Sequence, residues 1–350
     1  MPTPLNVVLV GYGYAGKTFH APLIAACPDL QLYGVVSSKA DVLSADWPAL
    51  RQWSTLQQAL QDAAVDLVVI ATPNDLHFSQ AEAALLAGKH VVVDKPFTLT
   101  LTQARQLDEL AGRLGLLLSV FHNRRWDADF LTVQGLLASG RLGKISQFTS
   151  HFDRYRPQVQ QRWREQGGAG SGLWYDLGPH VLDQALQLFG QPLAVSAYLA
   201  QQRPAAQATD YFHVQLRYAE MHVVLHGSCL VSGGIPRFAV HGDLASYTKY
   251  GLDTQEADLK LGKAAGGAGW GVDPLPGQLF LPTASGTQTE SLPNLPGDYR
   301  AYYRQLAAAI RGEADNPVTA RQAASVMDWL ERAEYSAVQG RDVSAQEVLP

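Results

Sequence analysis

Residues 5–18 read LNVVLVGYGYAGKT. Leu5 to Val10 is apolar and rich in β-branched side chains, the composition of a parallel strand buried on both faces. Three glycines follow as Gly11-x-Gly13-x-x-Gly16, and from Tyr14 to Ala26 the chain holds good helix formers, with Pro22 as the one discordant residue. The glycines therefore sit where a strand turns into a helix. Gly11 permits the tight turn, Gly13 lets the backbone approach a pyrophosphate, and Gly16 lets the helix pack on the strand. The N–H groups and dipole at the helix start favour an anion. The loop Gly11, Tyr12, Gly13, Tyr14, Ala15, Gly16 is a candidate dinucleotide cradle; a glycine turn without a ligand is the alternative.

Working outward, strand and helix alternate for about 120 residues. Leu30–Val36 reads as a second strand, Asp66–Ala71 as a third, Leu76–Ala87 as a helix and His90–Val93 as a fourth strand. Leu101–Leu114 reads as a helix and Leu116–Phe121 as a further strand. This rhythm predicts a doubly wound parallel sheet of the Rossmann type. Ligands of such sheets bind beyond the carboxyl ends of the strands. The loops of interest are then Gly11–Gly16, Ser37–Lys39, Thr72–His77, Asp94–Phe97 and His122–Arg125.

From about residue 145 strand-like segments succeed one another: Ile145–Phe152, Leu193–Ala200, Tyr211–Tyr218, His222–Leu230, Arg237–His241 and Ser246–Lys249. A hairpin is expected to turn near Ala219–Glu220. One helix, Tyr175–Phe189, interrupts them. Residues 262–297, rich in Gly and Pro, read as a long surface loop. Tyr299–Arg311 and Ala320–Gln339 read as closing helices. The expected fold class is α/β: an N-terminal doubly wound domain over 1–122 and an α+β domain over 123–350 with a large open, mainly antiparallel sheet. The last helices are candidates to pack back on the first domain.

The 350 residues suit two domains. Hydrophobic residues make up 47% and charged residues 17%, a globular composition. The net charge of −5 with no basic run argues against a nucleic-acid partner. No stretch reaches the roughly 18 apolar residues of a membrane span, and no signal peptide is evident, so a cytoplasmic protein is expected. Cys27 and Cys229 form no metal-type cluster and read as ordinary thiols. The histidines 151, 180, 213, 222, 226 and 241 make no His-Glu-x-x-His pattern, and no metal is expected.

The second strand ends GVVSSKAD. Where NAD-binding sheets carry an acidic residue, this chain has Ser37, Ser38 and Lys39. Two hydroxyls and an ammonium favour a 2′-phosphate, so NADP(H) is preferred, with NAD(H) as the alternative. A solvated turn is the plain reading, and Asp41 stands nearby.

In VVVDKPF (91–97), Lys95 follows a buried strand at the sheet's carboxyl edge, and Pro96 imposes an extended backbone on it. In GGAGSGLWYDLGPHVLDQAL, Asp176 and His180 stand at i, i+4 on one helix face. Pro179 is tolerable only in a first turn, which places the pair at the helix start. A histidine poised near neutrality suits acid–base work. A cap and a core histidine are the structural alternative.

Together the glycine fingerprint, ATPNDLH (71–77), DKP (94–96) and the glycine run leading to Asp176 and His180 resemble the Gfo/Idh/MocA family of sugar and inositol oxidoreductases. The family usually has Glu at the position of Asp94. GYGYAGKTFHAPLI, VFHNRRWD and HFDRYRP resemble a bacterial subgroup that includes NADP-dependent scyllo-inositol dehydrogenases. The resemblance implies that Lys95 hydrogen-bonds the substrate oxygen, that His180 takes the alcohol proton and that Asp176 orients the polyol. It implies Thr72, Pro73, Asn74, His77, Asp94 and Asn123 at the cofactor, with Trp163 and Arg164 reaching it from the second domain. One of Tyr299, Tyr302 and Tyr303 is implied on the ligand side. Arg154, Tyr155 and Trp174 are expected at the substrate, among a polar rim that also holds Arg125, Asp153, Arg156 and Arg162. The implied reaction interconverts a secondary alcohol and a ketone on a cyclic polyol or sugar, in a homodimer or homotetramer. Glycoside cleavage with transient cofactor use and a non-catalytic sugar sensor are the competing functions.

Overall fold

The structure, a computed structural model, describes residues 3–38 and 40–349. In chain order these form β1 (Leu5–Val10), α1 (Ala21–Ala25), β2 (Leu30–Val36), α2 (Ala40–Asp46), β3 (Arg51–Trp53), α3 (Leu56–Leu60), β4 (Leu67–Ile70), α4 (His77–Leu86), β5 (His90–Asp94), α5 (Leu101–Leu114) and β6 (Leu118–Phe121). There follow α6 (Ala128–Ala138), β7 (Ile145–His151), α7 (Gly172–Phe189), β8 (Ala194–Ala200), β9 (Tyr211–Arg217), β10 (His222–Ser228), β11 (Phe238–Gly242) and β12 (Ser246–Lys249). The chain closes with α8 (Gln255–Lys260), β13 (Gly277–Thr283), β14 (Gly286–Leu292), α9 (Arg300–Ile310), α10 (Ala320–Gln339) and β15 (Val343–Ser344). Two compact units result. One holds the described residues up to Trp126 with Thr254–Gly271 and Asp298–Ser325; the other holds Asp127–Asp253, Val272–Gly297 and the described residues from Val326 on.

The first unit is built on a six-stranded sheet in the order β3-β2-β1-β4-β5-β6, every pairing parallel. Its central strands are Val-rich and fully buried, as at Val8, Val68 and Val92. The strand order reverses between β1 and β4, and the crevice at that point takes the ligand in such sheets. α5 spans the expected residues. Thr100 caps its start by accepting the Gln103 N–H, and Gly115 ends it at φ 66°. The helix after the fingerprint contains a π turn at Gly16–His20 ahead of α1, in which the Ala21 N–H reaches Gly16 O. Pro22 follows with no N–H to give, and a widened turn absorbs that loss. β3 and α3 were not foreseen, although Thr55 and Gln58 form a capping box.

The second unit carries a nine-stranded sheet in the order β14-β13-β12-β11-β7-β10-β9-β8-β15. β7 and β10 pair parallel and the other neighbours antiparallel. Phe148, Phe212, Val214, Leu225 and Phe238 make its buried face. α7 covers that face, with Trp174 on Phe212 at 5.0 Å and Phe189 on Phe148 at 5.2 Å. The other face leaves Tyr198, His213 and His222 exposed.

Two expectations are corrected. Residues 262–297 are not one long loop, because β13 and β14 form a hairpin at the sheet edge. Gly277 and Leu279 turn inward while Gln278 and Phe280 are half-buried, a period of two that the Gly and Pro content masked. α7 starts at Gly172 rather than Tyr175, so Pro179 lies inside it. The Leu173 N–H finds Thr209 O at 2.6 Å, which satisfies the earlier start. Cys27 and Cys229 are buried free thiols, and burial pushes Cys27 up to about 11. No helix among the described residues is long and apolar enough to cross a membrane.

Candidate active site

The three fingerprint glycines are constrained differently. Gly11 has φ +96°, and a Cβ there would stand 2.7 Å from Ala71 O. A Cβ on Gly16 would stand 2.1 Å from Gly11 O. Both are demanded by the fold. A Cβ on Gly13 would meet no heavy atom within 4 Å. That position faces open space in the loop, so the fold itself does not require the missing side chain. This fits a pyrophosphate held by backbone amides. Tyr12 is buried in the wall, its hydroxyl donating to Asp46 at 2.9 Å and accepting from Trp47 Nε1 at 2.9 Å. Burial, with Asp46 beside it, pushes Tyr12 up to about 12. Tyr14 is half-exposed and donates to Glu256 of α8 at 2.8 Å. Ala15 is half-buried at the start of the π turn.

A cavity of about 350 Å³ opens beside the carboxyl ends of β1 and β2, lined by Val10, Val36, Ser54, Thr55, Ser79 and Gln80 among others. No carboxylate lines it among the described residues. The Ser37 N–H reaches Trp53 O at 3.3 Å, which sets that loop beside Ser54. Ser38 is exposed, and Lys39 lies outside the described residues. Ser54 and Thr55 were missed because they follow the unforeseen β3.

Asp94 is buried at the end of β5 and accepts the Lys95 N–H at 2.8 Å. Lys95 itself is half-buried, and the Lys95–Pro96 peptide is cis. Burial acts to raise Asp94, but His20, Lys95 and His77 outweigh it and hold the carboxyl below its usual range. The His77 ring nitrogens face Pro96 O at 2.9 Å and Thr72 O at 3.0 Å. His77 thus joins the loops after β4 and β5, and burial pushes its ring down. The Thr72 hydroxyl donates to Gln80 at 2.8 Å. Pro73 is exposed, while Asn74 and Asn123 are buried at the starts of short 3₁₀ turns.

The expectation of a ligand-side tyrosine at 299, 302 or 303 is not met, since all three side chains are fully buried. Tyr302 donates to Ser119 at 2.9 Å, and the Tyr303 hydroxyl lies 2.6 Å from His20 Nδ1. His20 in turn stands 3.9 Å from Asp94, too far for a hydrogen bond but close enough to act through charge. This buried chain from Tyr303 toward Asp94 was not legible, because α9 lies some 280 residues from His20.

In the second unit α7 presents Asp176 and His180 one turn apart, His180 being 5% exposed. Arg164 Nη1 and Arg154 Nη1 flank the Asp176 carboxylate at 3.5 and 3.9 Å. Together with Arg162, Arg203 and Leu173 they line a polar pocket. Arg164 lies over the exposed Trp163 ring at 5.2 Å, and Tyr155 is 61% exposed. Trp174 is corrected: it is 1% exposed and donates to Leu330 O at 3.2 Å, a core residue with no access to substrate. Its ring lies where a Cβ on Gly178 would stand, at 2.6 Å, which explains that glycine.

The loop that carries Arg162 and Arg164 is organised by a residue sequence reasoning missed. Buried Arg203 meets Glu165 at 3.1 Å and Asp210 at 2.9 Å, and donates to the Arg156 and Gln158 carbonyls. Arg162 closes on Glu165 at 2.6 Å. Nothing in the spacing of these residues announces them.

The family model for the "Oxidoreductase family, NAD-binding Rossmann fold" (Gfo/Idh/MocA) matches residues 5–122. The model for the "Oxidoreductase family, C-terminal alpha/beta domain" matches residues 134–345. The chain is 53% identical to the uncharacterized oxidoreductase YdgJ of Escherichia coli, covering 96% of this chain and 97% of that protein. It is 39% identical to scyllo-inositol 2-dehydrogenase (NADP(+)) IolW of Bacillus subtilis, covering 97% and 95%. Among solved structures, YPO2259 of Yersinia pestis superposes with a TM-score of 0.96 at 51% identity, covering 100% of this chain and 99% of that one.

Proposed function

Since this chain belongs to the Gfo/Idh/MocA family of NAD(P)-dependent oxidoreductases acting on CH–OH groups, we propose that it interconverts a secondary alcohol and a ketone on a cyclic polyol, with NADP(H) preferred. Scyllo-inositol is the first substrate to try, because the IolW relative is named for it. The observation that carries the reading is the pair Asp176 and His180 on one face of α7 with two guanidiniums beside the carboxylate.

NADP, when bound, supplies the hydride acceptor. The chain's residues do the rest. The Lys95 ammonium donates a hydrogen bond to the substrate oxygen and stabilises negative charge there. His180, itself 5% exposed, holds the departing alcohol proton on its ring as a general base. Asp176, kept in place by Arg154 and Arg164, accepts hydrogen bonds from neighbouring polyol hydroxyls. Each step depends on prior alignment of the alcohol, which fixed donors supply. Gly13 supports the pyrophosphate, and the cavity beside Ser37 and Ser54, free of carboxylates among its described lining residues, supports a 2′-phosphate rather than a free ribose hydroxyl. The open outer face of the nine-stranded sheet supports a homodimer or homotetramer, which light scattering tests.

The test is nucleotide reduction followed by absorbance with scyllo-inositol, other inositols, sugars and the corresponding ketones, in both directions. Turnover with an inositol and NADP is expected. No turnover with any polyol, sugar or ketone and either cofactor would overturn the reading.

A further inference from the structure

A second cluster of ionisable groups lies on the sheet face opposite α7. His151 ends β7, and Asp153 follows two residues later. His226 on β10 is the register partner of His151. His151 Nδ1 lies 3.1 Å from Asp153 Oδ2, His226 Nδ1 lies 2.9 Å from Asp153 Oδ1, and the two Nδ1 atoms are 3.2 Å apart. We propose that His151, Asp153 and His226 bind a divalent transition-metal ion of the zinc class.

The geometry is the first argument. The two Nδ1 atoms stand 3.2 Å apart and each lies within 3.1 Å of one of the two Asp153 oxygens, so two imidazoles and one carboxylate converge on one space. Tetrahedral zinc with bonds of about 2.0–2.1 Å has ligand–ligand edges of about 3.3 Å. One ion in that space is within reach of a ligand atom from each of the three side chains. The second argument is the convergence of the nitrogens. Two Nδ1–H groups each donating to one carboxylate oxygen explain the metal-free arrangement. An ion replaces both protons and turns the close approach of the two nitrogens into a shared contact.

Chemistry and access agree with this. His213, the register partner of His226 on β9, places a further imidazole with its ring centroid 6.0 Å from that of His226. Tyr211 packs edge-on to His226 at 5.1 Å. The three side chains retain 10–18% exposure, enough for an ion to enter and for water to complete the shell. Two adjacent strands hold the histidines, and Asp153 sits two residues past the end of β7, so little ordering is needed. Two histidines and one carboxylate suit zinc better than magnesium or calcium. The site does not share residues with the Asp176–His180 pair. Asp153 immediately precedes Arg154, so the ion would fix the segment that carries Arg154.

Full-length protein dialysed against a chelator is titrated with zinc chloride in competition with a chromophoric chelator, and separately with cobalt chloride for its visible bands. One ion per chain with tetrahedral-type cobalt bands is expected. His226→Gln and His151→Gln are expected to lose that binding, while His222→Gln, on the same strand but outside the cluster, retains it. Circular dichroism identifies a variant that has not folded, in which case the other variant and the cobalt spectrum of the unaltered chain decide. No binding by the unaltered chain, or unchanged binding in the folded His226→Gln or His151→Gln protein, would overturn the proposal. Neither outcome depends on whether a polyol is the substrate.

Discussion

The Tyr14 hydroxyl in the glycine loop donates a 2.8 Å hydrogen bond to Glu256, 242 residues further along the chain. Glu256 also meets Arg124 at 2.7 Å and Lys260 at 2.7 Å, so one carboxylate ties the loop to α8 and to the end of the sheet. Burial acts to raise Glu256, but Arg124, Lys260 and Tyr14 outweigh it and hold it at about 2 against an ordinary 4.5. A depressed carboxyl contributes stability above its unfolded value and loses it as pH falls toward the folded one. Glu256→Gln is expected to cost on the order of 2 kcal/mol at neutral pH. That deficit should shrink between about 4.5 and about 2. Urea unfolding of both proteins across that window checks it; a deficit independent of pH would show that charge is not the cause.

The glycines separate fold from ligand. Gly16→Ala drives a Cβ to 2.1 Å from Gly11 O, a backbone atom with nowhere to go. It should destabilise by about 1–3 kcal/mol. Gly13→Ala meets nothing within 4 Å and should fold normally, yet lose NADPH affinity by about ten-fold as the methyl displaces a phosphate. Thermal unfolding with and without NADPH distinguishes the two.

Most of the first unit is written in local pattern. Val-rich runs, the glycine spacing and the Thr100 cap all act within a few residues, and β1, β2 and α5 appear where the pattern puts them. The misses share a physical cause. Strand β13 alternates only weakly amid Pro and Gly, and the proline inside α7 is tolerated because an earlier start has already anchored the helix. At the candidate site, Lys95, Asp176 and His180 stand out by residue type and local spacing. Their supports do not. Arg203 organises the Arg162–Glu165 loop from some 40 residues away, and Glu256 reaches Tyr14 from farther still. Trp174 and the tyrosines of α9 looked like ligand contacts because aromatics serve both roles. Burial, which no short window reveals, puts them in the core.

Cofactor choice turns on the loop after β2. If Ser37 and Ser38 hold a 2′-phosphate, the double variant Ser37→Ala with Ser38→Ala loses hydrogen bonds to a charged group. Each such bond is worth about 1.5–3 kcal/mol, so NADPH should bind roughly 10- to 100-fold more weakly for each bond lost. NADH binding should change little, and Ser38→Asp should push the preference toward NADH by like-charge repulsion. Fluorescence titration with both nucleotides reads the ratio. An equal loss for the two would mean that the serines support the loop and do not read the phosphate.

The catalytic roles make a sharper demand. His180 comes from α7, in the unit without the glycine loop, so His180→Ala should leave NADPH affinity intact while lowering kcat and kcat/KM together by about 10²–10⁴. Lys95→Ala should fall in the same range, and adding it to His180→Ala should cost less than the sum if, as proposed, both residues serve one oxygen. Asp176→Asn should instead raise KM more than it lowers kcat, since its assigned work is to hold the polyol between two guanidiniums. Steady-state rates with separate nucleotide titrations test all three. Strict additivity of the Lys95 and His180 losses would place the two side chains in independent tasks, and the shared-oxygen mechanism would have to be abandoned.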